Sequence, residues 1–252
     1  MTTWPPREHS CIEAWHNIVK QTHSEPVRYV LVLSDKEWGE GRVDPKRLLQ
    51  AMEEMGVEVL WDKGNIFSHK KLIPTLERYP DEDILVVDDD VAHEDCWLQT
   101  FIDDHNQHPS DIIYGVSICR VDIIDDRIVE DANYPKAFIS KGKRTFLCKP
   151  ANGANGTLYP AGTFTDPRFF DRELFMRLSP TSDETWQWAW GIMTGRHYRC
   201  LSEHNYPAII DANQECALWH TNRNRYSDYH NAIAEVFPEY KKRLIELKSK
   251  EL

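Results

Sequence analysis

Apolar residues in the first half of the chain recur at two periods, one helical and one extended. Over residues 9–23, Ile12, Trp15, Ile18 and Val19 fall on one helical face and predict an amphipathic helix. Residues 27–33 (VRYVLVL) read as a strand that runs out into Ser34-Asp35-Lys36. Pro45 opens a second helix through Met55, with Leu48, Leu49, Met52 and Met55 facing inward. A short strand over 57–60 follows, then a helix over 70–79 stopped before Pro80. Ile84-Leu85-Val86-Val87 is a continuous apolar run, the pattern of a strand covered on both faces. A helix begins near His93, and residues 112–118 form another strand. Strands and helices alternating at this spacing predict an α/β fold with a doubly wound, Rossmann-type, mostly parallel sheet flanked by helices.

After about residue 125 the alternation breaks down. Residues 131–149 mix polar and aromatic positions, as an irregular excursion or hairpin would. Asn152-Gly153-Ala154-Asn155-Gly156-Thr157 is a flexible loop with two Asn-Gly turn formers. Helices are expected over 171–178, 184–194 and from about 238 onward, and no internal repeat is present. The 252 residues are expected to form a single domain with a nucleotide-binding-type half (1–125) and a loop-rich half (126–252).

A net charge of −11 argues against a sequence-independent nucleic-acid binder, which needs a basic face. No apolar stretch reaches the length of a membrane span, and the N-terminus lacks the apolar core of a signal peptide. Peripheral contact with a membrane stays compatible with this pattern. The six cysteines are widely spaced and form no CxxC pair, so they read as reduced thiols and the protein as cytoplasmic. Nine tryptophans and ten tyrosines supply core, with aromatic faces to spare for sugars or bases.

The candidate chemistry is acidic. Asp88-Asp89-Asp90 stands where the apolar strand runs out, at the sheet edge where ligands of open α/β sheets bind. Clustered carboxylates there suit a hard cation, Mg²⁺ or Mn²⁺, although a solvated acidic turn has the same composition. Thr181-Ser182-Asp183-Glu184-Thr185-Trp186 has the make-up of a helix start and could hold a carboxylate as general base. Of Trp186, Trp188 and Trp190, one or two could line a pocket while the rest pack. His220 would add a nitrogen ligand if it reached the triplet, favouring Mn²⁺. Lys70 or Lys71 could meet a diphosphate.

Taken together these pieces resemble glycosyltransferases of the GT-A fold, of the bacterial type found among polysaccharide-assembly proteins. The Thr2-Thr3-Trp4-Pro5-Pro6-Arg7 segment looks like the loop that receives the nucleotide base, and Val86 to Val91 (VVDDDV) stands as a DxD motif. The resemblance implies donor contacts from Thr3, Arg7, Lys71, Asp88 and Asp89, and a metal held by Asp88, Asp90 and His220. It implies acceptor contacts from Asn155, Gly156 and Trp186 in a loop-rich acceptor half. It places the base in the acidic pair, with Glu184 the first choice and Asp183 the second. In this pattern the strand ahead of the Thr2 loop is missing, so either the start codon is assigned late or the fold manages with a shortened edge.

The implied activity is metal-dependent, hexosyltransferase-type transfer from a nucleotide-sugar, a UDP-sugar first, to a hydroxyl of a saccharide acceptor with inversion. Two alternatives fit less of the chain. Asp88-Asp89-Asp90-Val91 also fits the DxDx(V/T) pattern of haloacid dehalogenase-like phosphatases, and a nucleotide- or carbohydrate-binding module without turnover would need only part of the site.

Overall fold

The computed structural model of the chain describes residues 1–39, 41–115, 118–131, 144–145, 148–150, 155–201, 208–210 and 217–251. A 3-10 turn at Pro5–Arg7 leads into α1 (Glu8–Ile18), which buries Cys11, Ala14, Trp15 and Ile18. β1 (Val30–Ser34), buried throughout, is followed by α2 (Lys46–Glu54) and pairs in parallel with β2 (Glu58–Asp62). This is the βαβ unit that the periodicity predicts.

The helix expected over 70–79 is divided into a 3-10 turn, Phe67–Lys71, and α3 (Ile73–Arg78). Pro74 explains the break, because it carries no N–H to donate back to the preceding turn. β3 (Ile84–Val86) ends just before the acidic triplet. β4 (Val91–Ala92) follows the triplet, and the helix expected to begin near His93 starts later, as α4 (Trp97–Gln107).

The strand expected over 112–118 is likewise two, β5 (Ile112–Tyr114) and the start of β6 (Ile118–Ile124). β6 folds back on β7 (Arg127–Asp131) through Asp125 and Asp126, both at positive φ. β8 (Arg144–Thr145) and β9 (Cys148–Pro150) precede β10 (Thr157–Tyr159). Two helices follow, α5 (Arg172–Leu178) and α6 (Asp183–Met193), then β11 (Tyr198–Cys200) and β12 (Ala208–Ile209). The chain closes with α7 (Leu218–Asn222), α8 (Tyr226–Val236) and α9 (Pro238–Glu251).

Strands β3, β10, β5, β11 and β8 lie side by side in that order. β11 runs parallel to β5, while β10 inserts antiparallel between β3 and β5. The architecture is therefore mixed α/β, with parallel strand pairs flanked by helices. Side chains alternate across these strands, as extended backbone requires. Ile112, Tyr114 and Tyr159 enter a core built with α5, α6, α8 and α9. Ile113 and Leu158 enter a second core with α1, α2 and α4. Because β10 stands between two strands of the first half, the two halves share one sheet.

Helix α6 has nine buried residues, including all three of its tryptophans, so it is enclosed on every side. Its N-terminus carries the second acidic site. Among the described residues no helix is long and apolar enough to cross a membrane. Cys11, Cys96, Cys119 and Cys200 are free thiols.

Candidate active site

The acidic triplet ends β3 and meets the first residues of the chain. Thr3 Oγ1 donates to Asp89 Oδ2 at 2.6 Å, and Arg7 Nη1 lies 3.0 Å from Asp89 Oδ1. The same Arg7 nitrogen is 3.1 Å from Asp90 Oδ2, so one guanidinium bridges two carboxylates. Burial opposes the Arg7 charge, but Asp89 and Asp90 outweigh it and raise its pKa. Burial also pushes Asp89 up to about 6, with Arg7 and Thr3 restraining the shift. Sequence distance gave no hint of this contact beyond the resemblance.

Asp88 takes a different partner. The Lys71 ammonium bonds its Oδ1, in a pair with side chains only 13% and 18% exposed. Lys70, its neighbour, turns away to Glu37. The break before α3 produces this division, because a 3-10 turn aims successive side chains differently from a continuous helix. Burial works against the Lys71 charge, yet Asp88, then Asp183 and Glu184, more than offset it and raise its pKa. Lys71 thus joins the strand-end carboxylates to the acidic pair that opens α6.

That pair is buried and unequal. Asp183 is 5% exposed, and its Oδ2 accepts from Gln187 Nε2 at 3.3 Å. Burial would raise its pKa, but Lys71, His69 and hydrogen bonds from Ser68 and the backbone together outweigh it and hold the carboxyl below its usual range. Glu184 is half-buried, and burial pushes it up to about 8; Lys149 pulls the other way and Asp183 adds to the rise. Two adjacent carboxyl groups cannot both ionise cheaply, so the pair keeps one proton near neutrality, on Glu184.

Behind Glu184 lies a charged cluster that sequence reading missed. Lys149 and Glu130 are fully buried, with Nζ 3.3 Å from Oε1. His230 Nε2 is 2.7 Å from Glu130 Oε2, and its Nδ1 is 2.8 Å from the Tyr240 hydroxyl. Burial lowers the Lys149 pKa, but Glu130 and then Glu184 more than restore it, so the ammonium persists. These residues come from β7, β9, α8 and α9, which are far apart along the chain. Only the fold brings them together, and no local motif could have found them.

Several expectations need correction. Trp186 is fully buried among Phe169, Phe175, Trp190 and Phe237, and its Nε1 donates to Phe169 O at 3.1 Å. It is core, because α6 is covered all round, and it cannot stack on an acceptor. Asn155 is 4% exposed, and its carbonyl accepts from Trp97 Nε1 at 3.2 Å. Gly156 has φ +82°, and a Cβ there would stand 2.6 Å from the Trp97 ring. Both residues therefore serve to seat β10 against α4 rather than to meet an acceptor. The preceding loop residues, 152–154, lie outside the described residues.

His220 does not join the triplet either. It sits exposed on the short α7, and among the described residues no three His, Cys, Asp or Glu side chains gather as a metal-holding group. Asp88 and Asp90 still present hard oxygens at one strand end, which fits an ion bound by one or two carboxylates with water and phosphate completing its shell. The donor set suits Mg²⁺ as well as Mn²⁺ without the histidine.

No protein-family model and no curated protein matches the chain. Among solved structures, it is similar to Staphylococcus aureus TarS residues 1–349, at 15% identity and a TM-score of 0.54, covering 96% of this chain and 69% of that one. TarS 1–349 in complex with UDP matches at 16% identity and 0.51, covering 82% and 57%. Against a longer TarS structure the score is 0.54 at 14% identity, and the chain spans 42% of its length. The likeness is one of fold.

Proposed function

We propose that this protein is a glycosyltransferase that moves a sugar from a nucleoside-diphosphate donor, UDP-linked, to a hydroxyl of a saccharide acceptor with inversion. The observation that carries the reading is the convergence on Lys71. One buried ammonium pairs with the strand-end Asp88 and is held charged by Asp183 and Glu184 as well, so both acidic sites act on a single cation. The UDP held by the similarly folded TarS supports the choice of nucleotide. The same fold likeness speaks against a dehalogenase-like phosphatase.

Thr3, Arg7 and Asp89 form the seat for the nucleoside, because their mutual bonds order the loop at the end of β3. Lys71 offers positive charge to the diphosphate as its bond to the sugar breaks. A divalent ion held by Asp88 and Asp90 would neutralise the departing diphosphate further. Glu184, once deprotonated, takes the proton of the acceptor hydroxyl, and a pKa near the working pH makes it a strong base that is still partly ionised. Asp183 stays ionised beside Lys71 and acts by charge.

The test is calorimetric titration with UDP, GDP and CDP, each with and without Mn²⁺ or Mg²⁺. Tight binding of UDP alone, weakened in Asp90→Ala, is the expected result. Absence of binding to all three nucleotides would overturn the proposal. Equal binding with and without metal would remove the ion from it.

A further inference from the structure

Lys71 reaches Asp88 from the short 3-10 turn Phe67–Lys71, and such a turn is a weak platform by itself. Its hydrogen bonds are poorer than those of an α-helix, and Pro74 has no N–H with which to bond back to it. Something else has to hold the turn still if a buried ammonium is to stay on one carboxylate.

His69, two residues ahead of Lys71, supplies an anchor. It is completely buried, and its ring stacks on Phe175 of α5 with centroids 4.4 Å apart and planes 28° apart. His69 Nε2 lies 2.8 Å from Ser179 O, 110 positions along the chain. A carbonyl can only accept, so Nε2 carries the proton and donates. Burial lowers the pKa of the ring, with Asp183 pulling the other way, so the imidazole is neutral and Nδ1 carries no proton. Nδ1 has no hydrogen-bond partner among the described residues. A buried nitrogen left without a partner costs stability, and an apolar ring could stack on Phe175 without that cost. What the histidine adds is the bond to Ser179 O.

Ser179 caps the end of α5 and opens the corner, 179–182, that leads into the acidic pair of α6. Its Oγ donates to Ser182 O at 2.6 Å, so the corner is bonded within itself up to the residue before Asp183. Asn222 of α7 holds the same corner from another side. Its Nδ2 donates to Thr181 O and its Oδ1 accepts from Thr181 Oγ1, both at 2.6 Å. Those two bonds tie the corner to α7 and leave the Lys71 turn out.

We propose that His69 is a positioning residue, whose bond to Ser179 O fixes the turn carrying Lys71 against the corner carrying Asp183 and Glu184 and so keeps the ammonium on Asp88. It touches no reacting group and acts through Lys71. That Lys71 then meets a diphosphate rests on the reaction proposed above; the positioning itself does not.

The experiment measures acetic anhydride labelling of Lys71 by mass spectrometry, relative to the fully buried Lys149, which reports general opening of the fold. In His69→Phe the Lys71 ratio is expected to rise about ten-fold, the effect of losing one buried hydrogen bond. In His69→Gln, whose amide N–H can reach Ser179 O, the ratio should return to within about two-fold of the native value. Asn222→Ala loosens the same corner and should leave the ratio within about two-fold. UDP affinity by calorimetry should follow the labelling, about ten-fold weaker in His69→Phe and restored in His69→Gln. An unchanged Lys71 ratio in His69→Phe, no recovery in His69→Gln, or an equal rise in Asn222→Ala would overturn the proposal. His69→Asn, too short to reach Ser179 O, takes the place of His69→Phe if that variant does not fold. A native protein that binds no UDP but labels as expected would remove the reaction and leave the role of His69 standing.

Discussion

The two acidic centres of this protein contain the same chemical groups and treat them differently. At the end of β3, every carboxylate touches a cation: Lys71 pairs with Asp88, and one Arg7 guanidinium bridges Asp89 and Asp90. At the start of α6, two carboxyl groups adjoin each other, and their cations, Lys71 and Lys149, are shared with other acids. In the first arrangement burial pushes Asp89 up to about 6 against the restraint of Arg7 and Thr3; in the second it pushes Glu184 up to about 8. What separates the two is direct pairing at the strand end against more distant, shared cations at the helix start, together with the depth of burial. Residue type alone does not.

The largest effect that could break this contrast is expected from Glu184→Gln. Turnover of a UDP-sugar should fall by about 10²–10⁴-fold, the range for loss of a general base, while UDP affinity measured by calorimetry stays within two-fold or so. The same variant has a stability signature. Glu184 has a folded pKa raised above its unfolded value, so its contribution is fully present below about pH 4.3 and is lost as pH rises through about 8. Glu184→Gln should therefore melt higher than the native protein above pH 8 and nearly alike at pH 4. Unchanged turnover would move the base elsewhere.

A middle-sized effect sharpens the comparison through pH. Because Glu184 must lose its proton to act, kcat/KM should rise with pH through a midpoint of about 8. Lys149→Met removes a cation that favours the carboxylate, so the midpoint should move up. Asp183→Asn removes a neighbouring negative charge and should move it down. A profile that stays flat in all three proteins would contradict the shared-proton description of the pair.

The smallest effect belongs to the other centre. Thr3→Ala removes a 2.6 Å bond to Asp89 but leaves Arg7 in place. Loss of one hydrogen bond to a charged group is worth about 1.5–3 kcal/mol at most, so UDP binding should weaken roughly ten-fold without changing the pH midpoint. A shift of that midpoint would show that the two centres are more tightly coupled than their bonding suggests.

Much of the architecture was legible from periodicity. α1, α2 and the β1–β2 unit are amphipathic or wholly apolar over their own length, so local pattern suffices to predict them. The misreadings have local causes too. Pro74 divides a helix, and the helix expected to begin near His93 starts only at Trp97, after the β4 pairing with β12. Asn155 and Gly156 read as a ligand loop because glycine permits close approach to a ligand and to Trp97 alike. Trp186 misled in the same way, since an aromatic ring suits a sugar and a core equally well.

From the sequence alone came the acidic triplet behind an apolar strand, the acidic pair at a helix start, and the alternation that sets strand-end residues at one sheet edge. These are matters of order along the chain, and side-chain period and turn chemistry act over a few residues. Only the tertiary structure decided that Lys71 rather than Lys70 pairs with Asp88, that Glu130, Lys149 and His230 form one buried cluster, and that burial raises the pKa of Glu184 while Asp183 is held below its usual range. Those outcomes depend on burial and on charges brought from residues up to a hundred positions apart. Electrostatic energy follows distance through space, which the chain acquires only on folding.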